Sequence, residues 1–149
     1  MSAEEKYPID FNLYDKHMGG MMIKLCPGND VPIKDLTISL DDRAFYLIEP
    51  YLKSHWGNEN NYSHFGFSKI PISIWSKIIR DVNSLRGSLI SATNPENIEW
   101  LGVNSEELKE EFAERFSEAK GGAIEMLGQF QKKVSAWIPL YQKVYFYGL

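Results

Sequence analysis

Along the first forty residues, apolar positions recur at every second place. Tyr7, Ile9, Phe11 and Leu13 alternate with Pro8, Asp10, Asn12 and Tyr14. That is the period of a half-buried strand, with Pro8 at its entry, where a missing N–H is tolerated. A short apolar run, Met21 to Cys26, leads into Cys26-Pro27-Gly28-Asn29. Proline presets φ at the second place and glycine accepts a positive φ at the third, which predicts a type II turn. Val31, Ile33, Leu36, Ile38 and Leu40 predict a further strand, and the change of parity after Ile33 marks a bulge or break near Lys34-Asp35. The N-terminal third therefore reads as a small antiparallel sheet.

From Asp41 the spacing changes. Asp41 or Asp42 caps a short helix carrying Ala44, Phe45, Ile48, Tyr51 and Leu52; Pro50 disfavours a continuous helix there, and a strand over residues 44–48 is the alternative. Residues 54–67, SHWGNENNYSHFGF, have no periodicity. A loop of that length inside a compact domain is usually functional or mobile.

The second half reads as helical. Ser73 is the expected N-cap of a helix whose stripe is Ile74, Trp75, Ile78, Ile79, Val82 and Leu85, with Gly87 ending or weakening it. Asn94-Pro95 opens a short helix through Leu101, and Asn104 with Glu107 resembles a capping box. Leu108, Phe112, Phe116, Ala119, Ala123, Met126, Phe130, Val134 and Trp137 then recur every three or four residues. That regularity predicts one long helix or two nearly collinear ones. A kink is expected at Gly121-Gly122 unless another element packs close to the backbone there, and an end at Pro139. The apolar tail, residues 140–147, is expected to dock on the core.

The predicted fold class is α+β, a small N-terminal antiparallel sheet packed against a mainly helical C-terminal half, with a mostly α arrangement as the alternative. Composition agrees: 149 residues, 44% hydrophobic and 13% aromatic, suit one globular domain over residues 1–149 rather than a disordered or fibrous chain. The single cysteine, Cys26, has no internal partner, and the first ten residues lack the apolar core of a signal peptide. The expected compartment is thus the cytoplasm. No apolar run approaches a membrane span, so no membrane association is expected. A net charge of −4 without a Lys/Arg cluster argues against nucleic acid as a partner.

Candidate chemistry is sparse. Cys26 would need His17, His55 or His64 brought to it by the fold to act as a nucleophile, and an inert buried thiol is the more ordinary reading. His55 and His64, with Glu59 between them, lack the spacing of a zinc site. Gly19-Gly20 and Gly121-Gly122 lack the Lys-Ser/Thr of a phosphate loop. No catalytic residue, metal or cofactor is therefore expected.

Charge read by position is more telling. Eight glutamates between Glu96 and Glu118 face only Lys109 and Arg115, leaving that window at −6, whereas residues 119–149 carry four lysines against Glu125, or +3. The helix dipole and an i,i+4 pair between Glu111 and Arg115 account for part of this. Glu106, Glu110 and Glu114, however, repeat at four-residue spacing on one face, where like charges repel. A solvated face is the ordinary explanation, and a basic partner the functional one. The loop adds aromatics, Trp56, Tyr62, Phe65 and Phe67, among small polar residues, the mixture used by recognition loops; the competing reading is that they plug the core. Met18, Met21 and Met22 offer a soft binding surface as one reading, with core filling the better one.

The leading expectation is a protein-binding module that docks a basic protein through Glu106, Glu110 and Glu114 together with His55, Trp56, Tyr62, His64 and Phe65. An inhibitor or immunity-type protein neutralising a toxin nuclease would fit that role. The alternative is a small enzyme or ligand-binding domain with His55 or His64 as general base. Self-association into a homodimer through the aromatic tail is a third reading.

Overall fold

The computed structural model describes residues 9–57, 60, 62–97 and 106–148. The fold is α+β. Five strands, β1 (Leu13–Tyr14), β2 (Ile23–Gly28), β3 (Ile38–Leu40), β4 (Phe67–Pro71) and β5 (Lys143–Tyr147), form an antiparallel sheet in the order β1-β3-β2-β5-β4. The helices are α1 (Asp42–Tyr46), α2 (Glu49–Leu52), α3 (Ile72–Ser91), α4 (Glu106–Glu114) and α5 (Phe116–Trp137).

The sheet extends beyond the N-terminal third, because β4 comes from the end of the aperiodic loop and β5 from the tail. Strand alternation sorts its two faces. Ile23, Leu25, Ile38, Leu40, Ile70, Val144 and Phe146 join the core formed with α3 and α5. Cys26 and Tyr145 are equally buried but lie on the opposite face, outside that core.

Three strand expectations are corrected. Of the period-2 segment at residues 7–14, Tyr7 and Pro8 lie outside the described residues, and from Ile9 on it supplies only Leu13–Tyr14 as strand; Ile9 and Phe11 are buried in the core instead. Pro27 and Gly28 do not form a turn. They end β2, paired with Val144 and Lys143. Pro27 is tolerated in this central strand because its carbonyl, and so its N side, faces away from β5 towards Ile33, whose N–H it accepts at 2.8 Å, beyond the last β2–β3 pair, Leu25–Ile38. The chain reverses through residues 29–31 instead, and Gly28 is required there because a Cβ would lie 2.1 Å from the Val31 carbonyl oxygen. Of the strand predicted from Val31 to Leu40, only Ile38–Leu40 is strand, and the break near Lys34-Asp35 is present as a 3-10 turn, Lys34–Leu36.

Asp41 caps α1, its carboxylate accepting the Ala44 N–H at 2.8 Å, and Pro50 sits in the first turn of α2, where no N–H is needed. α3 begins one residue before Ser73, which is therefore not its cap. The first N–H, of Ile72, is taken by the Gln142 carbonyl at 2.8 Å, so β4 passes directly into the helix. Gly87 lies within α3, which continues to Ser91. Asn94 accepts the Glu96 N–H at 2.9 Å above a 3-10 turn, Pro95–Asn97; the expected helix through Leu101 and the capping box at Asn104 lie outside the described residues.

The long helical stripe is two helices, α4 and α5, and the break falls at Arg115 (φ −130°, ψ 50°) rather than at Gly121-Gly122. The N-terminal segment packs against the glycine pair: a Cβ on Gly122 would be 3.2 Å from Phe11 Cδ2. Arg115 Nη2 donates to Glu118 Oε2 at 2.6 Å, while the Ile9 N–H donates to Glu118 Oε1 at 3.2 Å. The break brings Phe112 within 6.0 Å of Phe11. No helix among the described residues is long and apolar enough to cross a membrane.

Candidate functional site

α4 buries Leu108 and Phe112 and turns its carboxylates outward. Glu106, Glu110 and Glu114 are exposed, with Lys109 3.8 Å from Glu106. On the inner flank, Arg43 of α1 pairs with Glu111 at 3.0 Å and reaches Glu107 at 3.8 Å. The glutamate stripe thus lies exposed to water, while the neighbouring flank, Glu107 and Glu111, is tied to α1 by Arg43, which sequence alone did not assign to the site.

The loop behaves differently. It opens as a single π-type turn, Lys53–Gly57, and His55 Nε2 donates to Asp81 of α3 at 2.5 Å. Trp56 is half-buried against the core, and its indole N–H is buried with no acceptor among the described residues. Tyr62 and His64 both turn inward to Glu49: the phenol donates to Oε2 at 2.5 Å and His64 Nδ1 donates to the same oxygen at 2.8 Å. The donor assignment follows from the carboxylate, which only accepts when ionised. Glu49 itself is buried, with Lys53 4.0 Å from its other oxygen. Burial, reinforced by the bond to Glu49, pushes the Tyr62 phenol well above its usual range, so it remains a donor.

Four of the predicted loop contacts, His55, Trp56, Tyr62 and His64, are therefore turned inward and hold the loop on α2, α3 and the sheet. For Trp56 and Tyr62 this is the competing reading, in which the loop aromatics pack on the core. Phe65 is the exception. It is 70% exposed, edge-on to His64 at a 5.1 Å centroid distance. Phe67, the first residue of β4, lies on the outer sheet face against Tyr145 and Tyr147. The C-terminus closes the anchor: Gly148 N–H donates to the Gly66 carbonyl at 2.7 Å, and a Cβ on Gly148 would lie 2.1 Å from the His64 carbonyl oxygen.

α1 joins the two regions. Arg43 and Tyr46 lie three residues apart on one helix face; Arg43 holds Glu111, while Tyr46 stacks on His64 at 6.2 Å and 21°. Glu49, Asp81, Arg43 and Tyr46 were all missed by sequence reasoning. Only Glu49 left a trace there, as the one carboxylate inside the apolar run from Phe45 to Leu52.

The alternative chemistry finds little support in the geometry. His55 and His64 bind different carboxylates on different helices, so they do not share a metal site; Glu59 lies outside the described residues. Cys26 is fully buried and its thiol is pushed up by burial, which opposes the thiolate that a nucleophile needs. Comparison of the chain with protein-family models, characterised proteins and solved structures returns no match.

Proposed function

We propose that this chain is a protein-binding module whose docking face combines the α4 glutamates with Phe65. The observation that supports this reading is the bridge through α1, which ties α4 at Arg43–Glu111, on the flank beside the exposed stripe, to the exposed ring at Tyr46–His64–Phe65. The two features then work together on one partner. Five glutamates against one lysine in α4 speed encounter with a basic protein, and a rigid exposed aromatic slows its release. An inhibitor that masks a basic enzyme, such as an immunity protein covering the substrate channel of a toxin nuclease, uses this pairing of field and anchor. A free, buried cysteine is compatible with a reducing cytoplasmic setting.

The test is capture from the native cell with three baits: the parent chain, the triple variant Glu106→Lys/Glu110→Lys/Glu114→Lys, and Phe65→Ala. A stoichiometric basic protein is expected with the parent. It is lost with the triple variant at moderate salt, and Phe65→Ala weakens it by about 2 kcal/mol. A partner retained equally by all three baits places the docking face elsewhere.

A further inference from the structure

The sheet face opposite the helices carries a cavity of about 550 Å³ that the docking face does not use. Two flaps flank it, leaving it half open. One is the segment at residues 16–18, fixed where Ser39 Oγ donates to the Lys16 carbonyl at 2.8 Å and accepts the Met18 N–H at 3.0 Å. The other is the reversal after β2 with its 3-10 turn, fixed where the Tyr145 hydroxyl donates to the Asn29 carbonyl at 2.9 Å. Between them the floor is sheet: Cys26, Thr37 beside it, and Tyr147, which pairs in register with Lys24.

The walls are cationic in a chain that is acidic overall. Lys24 rises from the floor, Lys34 comes from the 3-10 turn and His17 from the opposite flap. Asp35 is the one carboxylate among the described residues lining the cavity. Neither Lys24 nor Lys34 has an acidic partner among the described residues, whereas Lys53, Lys109 and Lys133 each lie against a carboxylate. Two ammonium groups lining one cavity with a half-buried tyrosine favour a ligand of negative charge. Tyr147 supplies a flat, half-exposed ring, backed by Phe67 at a 5.0 Å centroid distance. The volume lies within the range of small-molecule sites.

We propose that this cavity binds a small anion built on a flat ring, its phosphate or carboxylate held between Lys24 and Lys34 and its ring lying against Tyr147. Burial, together with the hydrogen bond between the Tyr147 hydroxyl and Cys26 in the floor, raises the titration of Tyr147 and fixes the ring as a flat, uncharged surface for such a ligand. The site is independent of the protein-docking face, and either can fail without the other.

Amide NMR titration tests it, with phenyl phosphate and benzoate as the two anionic probes and benzyl alcohol as the uncharged control. Saturable shifts are expected at Lys24, Cys26, Thr37 and Tyr147 for at least one anion, with the better of the two reporting which headgroup the lysines prefer. The double variant Lys24→Gln/Lys34→Gln weakens that binding about tenfold or more, with the remaining spectrum unchanged because both side chains project from the fold. Tyr147→Leu, which keeps the strand apolar, weakens the aromatic anions more than it weakens inorganic phosphate. The proposal is overturned by an absence of saturable shifts up to about 10 mM, by shifts centred elsewhere, by equal binding to the double variant, or by benzyl alcohol binding as well as the anions.

Discussion

Helix α4 and the loop that follows α2 are both rich in polar and charged groups, yet they dispose of them in opposite ways. On α4 the glutamates stay in water, and only the inner flank, Glu107 and Glu111, is drawn to Arg43. In the loop, both histidines and the Tyr62 phenol are engaged internally: His55 on Asp81, and Tyr62 and His64 on one oxygen of Glu49. A surface available to a partner is made of groups without internal obligations. By that measure α4 and Phe65 are presented outward, while the histidines and Tyr62 serve to hold Phe65 in place.

The most severe way to break this contrast is to remove the acceptor at the loop's base. Glu49→Leu leaves the Tyr62 hydroxyl and the His64 ring buried without a partner, a loss expected to cost about 3 kcal/mol in a denaturant titration. Loop resonances from Tyr62 to Gly66 should shift while those of α4 stay fixed. A cost below about 0.5 kcal/mol would mean that the loop is not anchored through Glu49.

Gly148→Ala probes the same anchor from the other end. The added methyl meets the His64 carbonyl at 2.1 Å, backbone against backbone, so one strand end must move. A destabilisation of about 1–3 kcal/mol is expected, with the Gly148–Gly66 bond lost to hydrogen exchange. Unchanged protection of Gly148 would show that the clasp is dispensable.

The acid stripe should respond in the opposite sense. Glu106→Gln/Glu110→Gln/Glu114→Gln removes repulsion between like charges at four-residue spacing, while forfeiting some favourable dipole interaction at the first turn. The two effects nearly cancel, so stability should change by less than about 0.5 kcal/mol. A marked loss would mean that these carboxylates have structural partners and are not free for docking.

The contrast also explains what sequence could and could not disclose. α3 and α5 were legible because a helix writes its buried face at a fixed local period, and Trp75, Ile78, Val82 and Phe130, Val134, Trp137 are buried as that period requires. β5 was not, since Tyr145 and Tyr147 on the outer face are as apolar in composition as Val144 and Phe146 on the inner one, so alternation was masked. β4 was hidden by its brevity and by Pro71 at its end. For the site, exposure of the α4 stripe followed from helical spacing alone. The fate of Tyr62 and His64 depended on Glu49, 13 and 15 residues away across an aperiodic loop, a distance at which spacing carries no information. The helix break was misplaced for a related reason: glycine propensity pointed to Gly121-Gly122, but packing against Phe11 overrode it.

The mildest expected effect concerns the tie between that N-terminal segment and α5. Glu118 is held below its ordinary value of 4.5, first by the hydrogen bonds from Arg115 and then by the Ile9 N–H. A carboxyl whose folded value is depressed adds stability that is fully present above its unfolded value and is lost as pH falls through the folded one. The tether should therefore weaken only on the acid side of 4.5, seen as faster exchange of the Ile9 amide relative to core amides of α5. Glu118→Gln should remove most of that pH dependence while leaving α4 and the loop unaffected. If the Ile9 amide exchanges identically in the variant and the parent across that window, the N-terminal segment is held without Glu118, by Phe11 packing on Phe112 and Gly122 and by the hydrogen bonds between Asn12 and Asp41.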